Sequence, residues 1–334
     1  MVALVLAAVG AVAGQQTYRP ALDGLPNPFR TVERPFALPG GRAMGWVMGL
    51  DVDKDGKSLW LFDTCGGMTC LGTSVNPVVR YDGNGTLTRS FGAGLFSHPH
   101  GLYVDRQGNL WLIDGFGGTQ TPVSPTVGQQ VFKFSPQGKL LLTLGTAGVP
   151  GETPSTFNMP SDVLVAPDGS IFVADGHGGN TNARVVKFSK DGKYLKAWGK
   201  RGTAPGEFDG PHSLAMDSQG RLFVADRYNY RIQIFDQDGR LLDVWPQFGA
   251  TSELLIDRND VLYSANITVD EKTRPGWRKG IIIGSARTGA VTGFIPDPDA
   301  APSLEIIALD RAGTLFGGLT LGKTIRTLVP ARLP

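Results

Sequence analysis

The chain repeats one pattern of apolar and polar positions six times, most completely in Phe96–Asp114, FSHPHGLYVDRQGNLWLID. A short loop leads into an apolar strand at Gly101–Val104, Asp105–Gly108 makes a tight turn, and a second apolar strand ends at Asp114. Aligned on the turn glycine or its equivalent, the turns fall at Gly56, Gly108, Gly169, Gly220, Asp260 and Gly313, separated by 52, 61, 51, 40 and 53 residues. An apolar-aromatic pair follows each: Leu59-Trp60, Leu110-Trp111, Ile171-Phe172, Leu222-Phe223, Leu262-Tyr263 and Leu315-Phe316. The second strands end in Asp63, Asp114, Asp175, Asp226, Asn266 and Leu319. Carboxylates at that place are expected to hold backbone N–H groups of neighbouring turns.

Outer strands continue the register. Val79–Tyr81, Val131–Phe134, Val185–Phe188 and Ile232–Phe235 lead into DGNG, SPQG, SKDG and DQDG, and each tetrapeptide opens a further apolar run. Glycine between such runs predicts hairpins. Each unit is therefore a four-stranded antiparallel meander, and a repeat of about 40–50 residues built this way predicts an all-β, six-bladed β-propeller. Blade six has only Thr324–Leu328 after its second strand. Val32–Leu38, extended and ahead of blade one, is predicted to supply the missing strand and tie the termini together.

Composition agrees. Among 334 residues, 46 Gly and 23 Pro suit many short strands and turns, and a hydrophobic fraction of 41% supplies a core. A net charge of +2 with interspersed signs and no basic run argues against a nucleic-acid partner. Ala3–Ala13 is an apolar run ending in Ala11-Val12-Ala13, and reads as an export signal with a small-residue cleavage site. It has no Lys or Arg ahead of it, which leaves the start codon open. The run is shorter than a ~20-residue membrane span, and no later segment is suited to cross a bilayer. The expected organisation is a signal peptide at 1–13, a Pro-rich arm at 14–30 and the propeller at 31–334, in a periplasmic or extracellular protein. Cys65 and Cys70, in CGGMTC, are then expected to form a disulfide. Two insertions, Gly115–Gln130 and Asn266–Lys279, interrupt the blades, and the second offers Trp277 and Arg278 as candidate cleft residues.

Register also locates candidate chemistry. Eight residues before each turn position lies the start of the innermost strand: Met48, His100, Ser161, His212, Ser252 and Glu305. In a propeller these residues face the central channel at one level. The even blades carry His100, His212 and Glu305, and alternate blades are related by a threefold rotation, so the three converge. Two imidazoles and a carboxylate form a ligand set for catalytic zinc and for non-haem iron. A divalent metal is the expected cofactor, zinc first and iron second. His177, in ADGHGGNTNAR, follows a second strand and so lies on the His100 face, placed for proton transfer. Asp162, Arg184, Arg227 and Tyr228 lie near the same rim, and either arginine suits a substrate carboxylate.

The repeats HPHGLYVDRQGNLWLID, PSDVLVAPDGSIFVADG and GPHSLAMDSQGRLFVADRYNYRIQIF resemble NHL repeats. More closely, they resemble the catalytic core of peptidyl-α-hydroxyglycine α-amidating lyase and its bacterial relatives, over nearly all of the chain after residue 30. The resemblance implies a channel zinc held by three histidines on alternate blades and a structural calcium in the channel. It also implies cleavage of a carbinolamide to a peptide amide and glyoxylate. By position, His100 and His212 match the first two zinc ligands, and the third falls on Glu305. The tyrosine implied as catalytic base falls on His177. The arginine after the first blade's second strand falls on or beside Thr64, the methionine near the third histidine on Ser303, and the calcium-holding carbonyl on Leu102. Three functions stay open: such a lyase on a small or peptide-like substrate, another metal-dependent hydrolase, lactonase or oxygenase on this scaffold, and a non-catalytic NHL binding module.

Overall fold

The computed structural model describes residues 22–115, 124–267, 277–297 and 304–331. They form six four-stranded antiparallel sheets. The innermost strands are Val47–Val52, Pro99–Val104, Pro160–Val165, Pro211–Met216, Thr251–Ile256 and Leu304–Leu309. Each contacts the next, and the last returns to the first, so the sheets are blades around a channel. In blades one to four and in blade six, every position of the second strand is buried. A blade lies between two neighbours and buries both faces, which is why these strands read as continuous apolar runs. Six apolar clusters fill the seams between consecutive blades. Trp277 packs into the seam between blades four and five and is a core residue, not a cleft residue, while Arg278 is exposed and pairs with Asp23.

The turns follow from local chemistry. In blade two the Asp105 carboxylate accepts the N–H groups of Gln107 and Asn109, and the Gly108 N–H returns to the Asp105 carbonyl. Asp260 has φ +59° at the place where the other five turns have a positive-φ glycine. Asp is one of the few other residues that tolerates that left-handed conformation.

Blade six is completed by Phe29–Val32, paired antiparallel with Thr324–Pro330 from Phe29↔Pro330 to Val32↔Thr327. The N-terminal strand therefore closes the ring, but nearer the N-terminus than the expected Val32–Leu38. Pro35 has no N–H to give a ladder, and Phe36 and Leu38 pack instead into the seam between blades six and one. The expected signal peptide, the start of the arm, the middle of both insertions and Ser303 lie outside the described residues.

Removing residues 14–40 is expected to abolish cooperative thermal unfolding, and an unchanged melting curve would refute closure by this strand. Phe29→Ala, at a buried ladder position, should lower stability by about 3 kcal/mol, read from the urea midpoint.

Candidate metal centre

Each innermost strand carries a β-bulge at the same place. Pairing with the second strand slips between Val47 and Gly49, Pro99 and Leu102, Pro160 and Asp162, Pro211 and Leu214, Thr251 and Glu253, and Leu304 and Ile306. The slipped residues include Met48, His100, Ser161, His212, Ser252 and Glu305, the six at the channel level. A bulge frees a side chain from strict alternation and re-aims it. Carbonyls at this level serve the preceding blade: His100 Nδ1 donates to Ser161 at 2.8 Å, His212 Nδ1 to Ser252 at 2.7 Å, and Ser161 Oγ to Pro211 at 2.6 Å. A carbonyl partner makes Nδ1 the protonated nitrogen and leaves Nε2 with its lone pair.

His177 joins these imidazoles from the loop after the second strand of blade three. Ring centroids are 5.0 Å apart for His100 and His177, 5.2 Å for His100 and His212, and 4.8 Å for His177 and His212. Their candidate ligand nitrogens all lie within 4.8 Å of one another, and the Nε2 atoms of His177 and His212 are 3.1 Å apart. The loop is shaped to put His177 there. Gly176 has φ +140° and a Cβ on it would lie 1.8 Å from the Asn182 carbonyl oxygen; Gly178 has φ +81° and a Cβ on it would lie 2.4 Å from the Tyr228 ring. The Thr181 hydroxyl accepts the His177 N–H and donates to the Gly178 carbonyl. Burial holds all three imidazoles below their ordinary pKa, His177 and His212 well below it. They are neutral near pH 7, the form that binds metal.

Glu305 is buried in the same channel but is not one of the clustered ligands; its Oε1 is 3.5 Å from Arg227 Nη1. Arg227 is buried too, and Nη1 donates to His212 Nε2 at 2.7 Å. Tyr228 covers Gly178 and Gly210 and so braces the His177 loop. Arg184 is committed elsewhere, to Asp175 at 2.8 Å and to the carbonyls of Glu152, Thr153 and Thr156. The strand-end carboxylates hold backbone, as expected: Asp63 accepts from Gly45, Asp114 from Ser97 and His98, Asp175 from Asn158, and Asp226 from Asp209. Thr64 Oγ1 accepts the Trp46 N–H and donates to the Gly67 carbonyl, next to the Cys65–Cys70 disulfide.

Below the imidazoles, a small cavity is lined by Met48, His100, Leu102, Asp162, His212 and Glu253, among others. Asp162 accepts the N–H groups of Val163 and Leu214 and the Ser213 hydroxyl, yet burial raises it to about 7. Burial and the nearby Asp162 push Glu253 well above the carboxylate range, and burial takes Asp51 to about 7. Asp51, Asp162 and Glu253 also line a cavity of about 880 Å³ on the opposite face. Register at the strand start does not reveal Glu253. One position further along the strands it would, since Glu253 then aligns with Asp162.

The NHL-repeat family model matches residues 208–235, the part of blade four that carries His212 and Arg227. The chain is a six-bladed β-propeller with an NHL repeat in its fourth blade. The propeller is 40% identical over 163 residues to peptidylglycine alpha-amidating monooxygenase of Rattus norvegicus, a match covering 46% of this chain and 15% of that protein. It is 37% identical over 163 residues to peptidyl-alpha-hydroxyglycine alpha-amidating lyase 1 of Drosophila melanogaster, covering 45% of this chain and 27% of the relative. The match thus spans less than a third of either relative's length. A gluconolactonase structure from Xanthomonas campestris covers 94% of the propeller and 98% of its own chain, with a TM-score of 0.58 at 19% identity, a likeness of fold. Among the described residues, no helix is long and apolar enough to cross a membrane.

Gly178→Ala puts a methyl group against the Tyr228 ring at a positive φ. It should destabilise the propeller by more than about 1 kcal/mol, and Tyr228→Ala in the same chain should recover part of that loss. Melting of the two single variants and the double variant checks this coupling.

Proposed function

We propose that this propeller is an exported, metal-dependent lyase that cleaves a carbinolamide of the peptidyl-α-hydroxyglycine kind to an amide and glyoxylate. The observation that carries the reading is the convergence of His100, His177 and His212 in a chain 37% identical over 163 residues to a lyase of that name. The donors fit a divalent metal. His100 Nε2 is buried with no hydrogen-bond partner among the described residues. The 3.1 Å between the Nε2 atoms of His177 and His212 is near the roughly 3.3 Å expected between two nitrogens on tetrahedral zinc. Zinc is the metal we assign, with iron as the alternative. When bound, it supplies Lewis acidity toward the substrate hydroxyl.

The chain's own residues bind the substrate and move the proton. His100 and His212 direct their Nε2 lone pairs into the channel because Ser161 and Ser252 hold their Nδ1 protons, and at His212 a bound metal would take the place of the Arg227 N–H. Arg227, a buried guanidinium, takes the carboxylate that leaves with glyoxylate. In the reaction the hydroxyl loses its proton, its C–O bond becomes C=O, the C–N bond breaks, and the amide nitrogen gains a proton. Glu305, the carboxylate beside Arg227, is the group we assign to carry that proton. Thr64 is engaged with Trp46 and Gly67, so charge stabilisation at this rim falls to Arg227.

The calcium implied by the resemblance also has matching donors. Leu102, Asp162 and Glu253 face one small cavity, and carbonyl and carboxylate oxygens are the donors calcium takes. Buried carboxylates so shifted call for a compensating proton or cation. The Cys65–Cys70 disulfide supports an oxidising location, periplasmic or extracellular.

With zinc added, the full chain should release glyoxylate from an α-hydroxyglycine peptide, and Arg227→Ala should lower kcat/KM about 100-fold. No glyoxylate with either zinc or iron would remove the lyase reading. Calcium gives a second check. The raised pKa of Asp162 contributes stability that is fully present below about pH 4 and lost as pH rises through about 7. Calcium replaces that lost proton, so its shift of the urea midpoint over a chelated sample should grow from pH 6 to pH 8. A shift independent of pH would take calcium away from these carboxylates.

A further inference from the structure

Two blades compete for the third place on the metal, and their surroundings differ. From blade three, the His177 ring sits 5.0 Å from that of His100 and 4.8 Å from that of His212, with its Nε2 3.1 Å from His212 Nε2. Its loop is fixed on both sides by glycines that no other residue can replace without a clash, by the Thr181 hydroxyl and by the Tyr228 ring. From blade six, Glu305 lies outside the cluster of ligand atoms and faces the Arg227 guanidinium at 3.5 Å. Arg227 in turn reaches His212 Nε2 at 2.7 Å. A guanidinium this close to a dication is repelled unless an anion stands beside it, and Glu305 is the carboxylate that does so.

We propose that His177 is the third metal ligand, completing a set with His100 and His212, and that Glu305 instead anchors Arg227 beside the metal. Relative to the arrangement the resemblance implies, blades three and six exchange duties. Blade three supplies a ligand where a tyrosine base is implied, and blade six supplies a carboxylate where a histidine ligand is implied. Proton transfer then falls to Glu305, the carboxylate beside Arg227. The inference rests on the metal-dependent reading above and names the ligands it requires.

The test uses the full chain, stripped with a chelator and titrated with zinc or with cobalt(II), whose visible absorption reports a tetrahedral nitrogen site. The variants are His100→Ala, His177→Ala, His177→Gln and Glu305→Gln, each melted metal-free against wild type to confirm folding. The expected result is one metal per wild-type chain. The His100 and His177 variants should each lose affinity by more than the about 100-fold that loss of a supporting residue costs. Glu305→Gln should keep one metal with affinity within about 10-fold and an unchanged cobalt band. In a glyoxylate assay the same variant should lower kcat and raise KM together, since it loses both the proton carrier and the anion that holds Arg227 for the substrate carboxylate; a merely structural carboxylate would move neither. Retention of metal by His177→Gln, loss of the cobalt band in Glu305→Gln, or no metal on the wild type would each overturn the assignment. The expected metal pattern without any glyoxylate release would leave the ligand set standing and end the lyase reading alone.

Discussion

The β-bulge that recurs in all six innermost strands is what lets a narrow channel hold polar side chains without breaking the blades around it. A strictly alternating strand turns every second residue toward the axis, and the next residue into a seam between blades. One slipped position relaxes that rule, so that His100, Ser161, His212 and Glu305 meet at one level while Leu102, Val163, Leu214 and Ile306 resume the ladder or its packing. The same distortion places carbonyls where a preceding blade's imidazole can use them. Ring closure and site geometry therefore share a cause.

Electrostatics then sorts the channel into layers. Neutral imidazoles sit at one level, kept uncharged by burial, and carboxylates at the next, with burial raising Asp51 and Asp162 to about 7. Arg227 enters from the rim between His212 and Glu305. In the imidazole layer, His100 Nε2 is buried without a hydrogen-bond partner among the described residues. Buried groups of this kind are costly unless paired, and the proposed metal and calcium would supply that pairing.

Much of the ring was legible in the chain. Turn spacing and the apolar-aromatic pairs mark the blades, and counting back from the turns finds His100 and His212 on alternate blades. Strand-end aspartates were readable as backbone holders because their partners are local turns. What escaped depends on distant residues. Glu305 looks like a ligand by register, but its neighbour is Arg227, a partner from blade four that no spacing rule brings to blade six. His177 reads as a loop residue placed for proton transfer, and its place among the imidazoles is seen only with Tyr228 of the next blade lying against its glycine. Phe36 and Leu38 look like strand residues because they are apolar, yet they fill a seam, and Phe29 makes the ladder.

The pairing of Phe29 with Pro330 sets an order of assembly as well as a shape. During synthesis the strand that closes the ring emerges before every other blade strand, and its partner after them all. Blades one to five are local meanders that can form as they appear, whereas the clasp joins Phe29 to Pro330, the kind of contact that is slow to form. A nascent chain that has passed Arg227 already contains His100, His177 and His212, but neither the carboxylate that faces Arg227 nor the partner of the strand that shuts the ring. The three imidazoles can therefore be brought together on an open arc of blades, while the charge arrangement around Arg227 is complete only when the last blade is made.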